Sequence, residues 1–385
     1  MKHLWGLDPD VVFLNHGSFG ACPTAVLAFQ RSLMARMESQ PVRFFARDTQ
    51  GLLDGARDAM ARFVGAPTED LVFVANATTG VNTVLKSLRL TRDDELLVSN
   101  QEYNACRNAL DEVARRARAR VVVVDIPFPI TDTFDVVGAF LEKVTPNTRL
   151  LLVDHVVSQT GLVMPIADIV DAMQARGIEV LVDGAHAPGM LELDLSALGA
   201  TYYTGNCHKW MCSPKTAAFL YVHPSKHDEV HPLVTSHGAS LSGPQKFHAE
   251  FDWVGTIDPT PVMTLPFLID FMDGLVEGGW SEIRQHNHAL ALAGRRLVCD
   301  ALEQDLPCPD HMVGSTASVV LPNGDGVARA IDPLQDRLLF DYGIEVPVIP
   351  WPGPPRRLLR ISAQLYNSLE DYERLAVALR ALLAD

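Results

Sequence analysis

An acid and a lysine at the ends of two apolar runs are the residues best placed to do chemistry in this chain. The run Ile178–Val182 stops at Asp183, and the run Ala200–Thr204 stops just before His208 and Lys209. A Gly, Ala and Pro turn (184–189) and a short helical piece around Leu193–Leu198 separate them. In an open α/β sheet, ligands gather beyond the carboxyl ends of the strands. Both side chains would therefore arrive on one rim. A lysine can hold pyridoxal phosphate (PLP) as a Schiff base, and a carboxylate can keep the cofactor's pyridine nitrogen protonated, so that the ring draws electrons from a substrate α-carbon. Either residue alone reads as well as a surface lysine or a capping aspartate; the pair is what points to PLP.

A second cluster follows the strand-like segment Leu71–Ala75. Asn76-Ala-Thr-Thr-Gly80 leads into a helix over Val81–Leu88. Backbone N–H groups at a helix start cradle phosphate, here with the Thr78 and Thr79 hydroxyls as added donors; an ordinary threonine cap is the other reading. Neither a Gly-Lys-Ser/Thr loop nor GxGxxG is present, which favours a small phosphorylated cofactor over ATP or a dinucleotide. Tyr103 and Ser158 sit just past strand ends on the same rim, and a ring there could stack on a planar cofactor. Arg360 stands inside the apolar segment Leu358–Ser362. A guanidinium suits such a strand if it faces a cleft and grips a carboxylate with two parallel hydrogen bonds. Asn15, His16 and Ser18 lie in a Gly-rich turn, and Arg43 and Arg47 flank Phe44 and Phe45 as an anion site or a helix start with snorkelling side chains. Five histidines between His223 and His248 match no compact zinc spacing, and no metal site is expected.

The elements that would position these residues alternate. Strands are expected at 71–75, 96–99, 120–124, 149–154, 178–182, 200–204 and 216–222, and helices at 31–37, 81–88, 104–118, 135–143 and 166–176. This rhythm implies a mostly parallel sheet with helices on both faces. A long helical region (266–305) follows. Strands at 317–321, 345–349 and 358–361, a helix from Pro333, and a final helix opened by the capping box Ser368-Leu-Glu-Asp371 suggest a smaller α+β lobe. The expected division is residues 1–20, 21–258 and 259–385.

Composition sets the outer limits. With 385 residues, 48% hydrophobic and 21% charged, the chain has the makeup of a soluble globular protein. A net charge of -15 disfavours nucleic acid and anionic membrane as partners. No signal peptide or membrane span is evident. Six scattered cysteines fit free thiols in a reducing cytoplasm.

The ordered set LNHGSFGACP (14–23), PVRFF (41–45), NATTGVNTV (76–84), DHVVSQTGLVMPI (154–166), DGAHAPG (183–189), TYYTGNCHKW (201–210), GTIDPT (255–260) and RISAQLYN (360–367) resembles the class V aminotransferases of PLP fold type I, in their isopenicillin N epimerase-like branch. The resemblance implies that Lys209 binds PLP and moves protons at the α-carbon, and that Asp183 pairs with the pyridinium. It places Tyr103 on the ring, Ser158 and His186 at the phenolic oxygen, and Ala77, Thr78, Thr79, Asn206 and His208 at the phosphate. Arg360 becomes the α-carboxylate clamp, with Asn15, His16 and Arg43 shaping the substrate pocket. Thr256 would reach the phosphate of a neighbouring subunit, which implies a homodimer with shared sites acting on an amino-acid-type substrate. Two departures stand out. The loop Pro350–Pro355 has no cysteine, against a sulfur-accepting desulfurase. Ile257 stands where the epimerase branch carries an Arg, so the epimerase's tripeptide substrate is not implied.

Overall fold

The computed structural model describes residues 1–383. Its centre is a seven-stranded sheet. The strands are β2 (Leu71–Val74), β3 (Glu95–Ser99), β4 (Arg120–Val124), β5 (Thr148–Asp154), β6 (Glu179–Asp183), β7 (Tyr202–Asn206) and β8 (Ala218–Val222), preceded in the chain by a short β1 (Val12–Phe13) outside this sheet. The order across the sheet is β2-β8-β7-β6-β5-β3-β4. β3 to β7 run parallel, and β8 alone is reversed, pairing antiparallel with both β7 and β2. Central strands such as Leu150–Val153 and Val180–Val182 are buried on both faces. That is why they read as unbroken apolar runs rather than alternating ones. One face packs against Val81, Val84, Cys106 and Leu110 of the helices Ala77–Ser87 and Asn104–Ala117. The other joins the main core, which holds Ile169, Val170 and Met173 of the helix Ile166–Gln174.

The C-terminal part carries a three-stranded antiparallel sheet, with β9 (Thr316–Leu321), β11 (Val348–Pro350) and β12 (Arg357–Ser362) in the order β11-β12-β9. The helices Gly279–Ala301 and Leu369–Leu383 pack together beside it. The remaining strand, β10 (Ile344–Glu345), pairs parallel with β1, so the N-terminal segment is tied to this part of the chain. The Asp371 carboxylate accepts from the Ser368 N–H at 3.1 Å, closing half of the expected capping box.

Some elements differ from expectation. The long helical region breaks at Gly274–Gly278 into Leu265–Asp273 and Gly279–Ala301. Gly278 sits at φ +92, a conformation glycine reaches without a Cβ penalty. The expected strand 345–349 is split between β10 and β11. The turn after β1 is a short helix, His16–Phe19, and the histidine-rich loop holds two 3-10 turns and the helix Lys246–Asp252. All six cysteines are free. Among the described residues no helix is long and apolar enough to cross a membrane.

Candidate active site

The carboxyl ends of β2, β3, β5, β6 and β7 share one rim, and most of the residues singled out above sit on it. β6 ends at Asp183, which is buried. Its Oδ2 accepts from the Cys106 thiol at 3.1 Å and its Oδ1 from the Ala185 N–H at 2.9 Å. Burial raises the Asp183 pKa, while these two bonds and the Lys209 charge oppose the rise. Glu102 and Asp154 lie behind it. Burial first, and then repulsion from Asp154 and Asp183 on Glu102 and from Asp183 on Asp154, pushes both well above the usual carboxylate range. Both Glu102 oxygens and Asp154 Oδ2 are buried without a hydrogen-bond partner among the described residues.

Lys209 follows β7 by three residues. Its Nζ lies 2.9 Å from His186 Nε2, and Trp210 Nε1 donates to His186 Nδ1 at 3.2 Å. Burial, then the nearby Arg360, lowers the Lys209 pKa to about 8; Asp183 and Asp154 pull the other way. Burial, Lys209 and Arg360 hold His186 well below its ordinary value.

Arg360 is 3% exposed on β12. One guanidinium nitrogen donates to the Ser158 carbonyl and also lies 3.3 Å from the Ser158 hydroxyl; the other donates to Ser18 Oγ at 2.9 Å. Its Nε has no partner and no carboxylate pairs with it among the described residues. Burial lowers its pKa to about 10, opposed by the facing Tyr103 phenol. A buried guanidinium without a counter-ion is costly unless an anion completes it.

The helix Ala77–Ser87 begins beneath this rim. The Ala77 N–H donates to Asn206 Oδ1 at 2.8 Å, and Asn76 Oδ1 accepts from the Thr79 N–H at 2.8 Å and the Thr79 hydroxyl at 3.0 Å. Thr78 takes part in neither cap, so its N–H is the donor of the first turn left for an anion. The helix lies close to β7 because residue 80 is glycine; a Cβ there would come 2.2 Å from Thr204 Oγ1. His208 Nδ1 donates to the Ala217 carbonyl at 3.2 Å, and burial lowers its pKa to about 4.

Four residues are placed otherwise than the sequence suggests. His16 is fully buried, with Nε2 donating to the Lys209 carbonyl at 2.9 Å and Nδ1 accepting from the Tyr366 hydroxyl at 2.7 Å. Both ring nitrogens are occupied, and the ring anchors the lysine's backbone. Asn15 bonds Glu345 at 3.0 Å and accepts from Ser18 at 2.5 Å, which makes it a support for Ser18 under Arg360. The Thr79 hydroxyl is committed to the helix cap. Arg43 is exposed, in a surface hollow with Arg36, Gln40 and Asp48. Tyr103 and Thr256 are exposed in the single chain. Glu102, Asp154, Cys106 and Trp210 were not singled out from the sequence as site residues. Glu102 and Trp210 sit next to Tyr103 and Lys209, Cys106 lies one helical turn from Tyr103, and Asp154 ends β5 beside Asp183 at the end of β6.

The arrangement fits a PLP-type group on its own chemistry. An acid is positioned to meet a ring N–H amid unpartnered buried carboxyl oxygens, a lysine is held near neutrality, and a helix start and an unpaired arginine await two anionic groups.

The class-V aminotransferase family model matches residues 20–298. The chain is 35% identical to the isopenicillin N epimerase of Streptomyces clavuligerus, over 98% of its own length and 96% of the relative's. It is 32% identical to a probable chloroplastic L-cysteine desulfhydrase of Arabidopsis thaliana, over 98% and 84%. Among solved structures, a C-DES mutant with glycine covalently linked to its PLP cofactor superposes with a TM-score of 0.82 at 22% identity, covering 99% of each chain. The apo cysteine desulfurase of Thermococcus onnurineus superposes at 0.84 and 18%, covering 100% of this chain and 97% of that one. By its matched length and its relatives, this chain belongs to the class-V aminotransferase family.

Proposed function

We propose that this protein is a PLP-dependent enzyme that breaks the Cα–H bond of an amino acid or amino-acid-containing substrate, in the manner of an epimerase. The observation that carries the reading is the buried, unpaired Arg360 on the same rim as a near-neutral Lys209 and the buried Asp183. When bound, PLP supplies an electron sink for negative charge developing at the α-carbon. The chain's residues do the rest. Arg360 grips the substrate carboxylate with its free Nε and the nitrogen held by Ser18, fixing which bond faces the lysine. Lys209 Nζ, as the free amine, takes the α-proton from one face, and inversion requires a second acid to return a proton from the opposite face. Asp183, kept in place by Cys106 and Ala185, holds the ring N–H. The Thr78 N–H holds the phosphate, with Asn206 fixing the helix start.

The epimerase reading comes first because the relatives at 35% and 36% identity carry that name. A C–S lyase acting on cysteine conjugates is the second reading, favoured by the desulfhydrase relative at 32%. A sulfur-accepting desulfurase is disfavoured, since the loop 350–355 offers no thiol. We further propose a homodimer with shared sites. An apolar groove of about 470 Å³, lined by Phe45, Phe73, Leu233, Val234, Trp253 and Ile257, runs beside Thr79 and supports it. The deciding experiment is proton NMR in deuterated water with L-amino acids and S-substituted cysteines. Epimerase action puts deuterium at Cα and yields the D-isomer. Growth of pyruvate and ammonia from the cysteine conjugates selects the lyase instead. A PLP-loaded protein that exchanges no α-proton on any substrate, peptides included, contradicts the proposal.

A further inference from the structure

The contacts around His186 have a fixed polarity, and the residue that fixes it is Trp210. An indole N–H can only donate. Trp210 Nε1 points at His186 Nδ1 at 3.2 Å, so that nitrogen must present its lone pair. Trp210 is 1% exposed, and its Nε1 has no other acceptor among the described residues. Losing this bond would leave a buried donor unsatisfied, which is more costly than the bond's net worth. With Nδ1 bare, the proton of the neutral imidazole sits on Nε2. That nitrogen lies 2.9 Å from Lys209 Nζ. An N–H facing an ammonium would set donor against donor. Lys209 must therefore accept, and only the neutral amine has a lone pair to offer. The opposite polarity, an ammonium donating to a bare Nε2, would put the imidazole proton on Nδ1 against the indole N–H.

We infer that Trp210 is a positioning residue that, through the Nε2–H tautomer of His186, holds the free form of Lys209 as the neutral amine. This applies whenever Lys209 is not bonded to cofactor, both before loading and during turnover, and it rests on the reading of Lys209 as the cofactor lysine. Burial and Arg360 lower the Lys209 pKa, in the same direction as the polarity argued from the contacts. Arg360, Asp183, Asp154 and Cys106 also face Lys209. Arg360, His208 and His16 face His186. None of these is altered in the variants below.

The full chain stripped of cofactor is used for two measurements. First, long-range proton–nitrogen NMR on histidine-labelled protein, with His186→Gln identifying the His186 signals, reads the tautomer. Nε2–H is expected; Nδ1–H or a doubly protonated ring at pH 7 overturns the inference whatever the cofactor proves to be. Second, the rate at which Lys209 captures added pyridoxal 5'-phosphate is followed by absorbance against pH. In that step Nζ adds to the aldehyde carbon and water leaves, so the rate reports the neutral-amine fraction. Trp210→Phe should move the profile to higher pH, lowering capture at pH 7 by about fivefold while sparing it at high pH, as loss of one hydrogen bond implies. His186→Gln should keep the pH midpoint of the wild-type profile, whatever it does to the capture rate itself, because its carbonyl accepts from Trp210 and its amide donates to Lys209. His186→Leu should shift like Trp210→Phe. If Trp210→Phe does not fold, the Gln and Leu pair carries the test. Identical profiles for His186→Leu and wild type overturn the inference. Absence of capture at Lys209 in the wild type overturns the cofactor reading, with the tautomer still deciding the polarity.

Discussion

At the scale of single residues, the site gathers charges that are costly in isolation and useful together. Arg360 is the plainest case, buried with no carboxylate partner and one free nitrogen among the described residues. Arg360→Ala should weaken amino-acid binding by about 2–5 kcal/mol, the range for truncating one partner of a buried charge pair. A spectral titration with substrate checks this, and unchanged affinity would exclude the clamp. Glu102 makes a prediction about pH. Its folded pKa lies well above the ordinary 4.5, so between those values the folded protein binds more protons than the unfolded chain. Stability from this group is therefore lost as pH rises above 4.5. Glu102→Gln should remove the penalty, raising the melting temperature of the cofactor-free protein at pH 7.5 by about 2–4 °C and leaving it nearly unchanged in mild acid. An equal shift at both pH values would contradict the assignment. His16 and His155, lowered to about 4 by burial, have the opposite slope, so the comparison is made between variant and wild type at each pH.

At the scale of elements, the site depends on close approach between the helix Ala77–Ser87 and β7. Gly80 permits it. Gly80→Val would drive a side chain into Thr204, costing about 1–3 kcal/mol as overpacking does and tilting the phosphate cradle. Weaker PLP retention together with a lower melting temperature is expected; normal retention would show that the cradle tolerates the shift. The sheet strands were legible because fully buried parallel strands are continuous apolar runs ended by polar residues, as Val180–Asp183 shows. The broken helix at Gly274–Gly278 and the split strand near 345 were not, because tertiary contacts set those boundaries. The split follows from β10 pairing with the N-terminal β1, a contact across more than three hundred residues that no local pattern carries. In the site, Asp183, Lys209 and Arg360 were legible by type and position. For His16, expected at the substrate pocket, the ring's bonds to the Lys209 carbonyl and the Tyr366 hydroxyl were not legible, because a polar residue beside glycines gives no sign of whether its ring turns inward. Glu102 and Trp210 were missed because their roles arise only when β3, β6 and β7 are brought side by side.

At the scale of the whole molecule, Tyr103 and Thr256 are exposed in one chain, as are Leu233, Val234 and Ile257. A homodimer with shared sites accounts for all of them. Mixing an inactive Lys209→Ala chain with an inactive Thr256→Glu chain should then restore part of the activity, since each mixed dimer keeps one intact site. No recovery from verified heterodimers would count against sharing. The function proposed for this rim turns on Lys209 being the residue that holds the cofactor. The most direct measurement is borohydride reduction of the PLP-loaded protein followed by peptide mass spectrometry. The account predicts a pyridoxyl group on the peptide carrying Lys209 and on no other, with Lys209→Ala unlabelled. A label on Lys215 or any other lysine, or none at all, would contradict it.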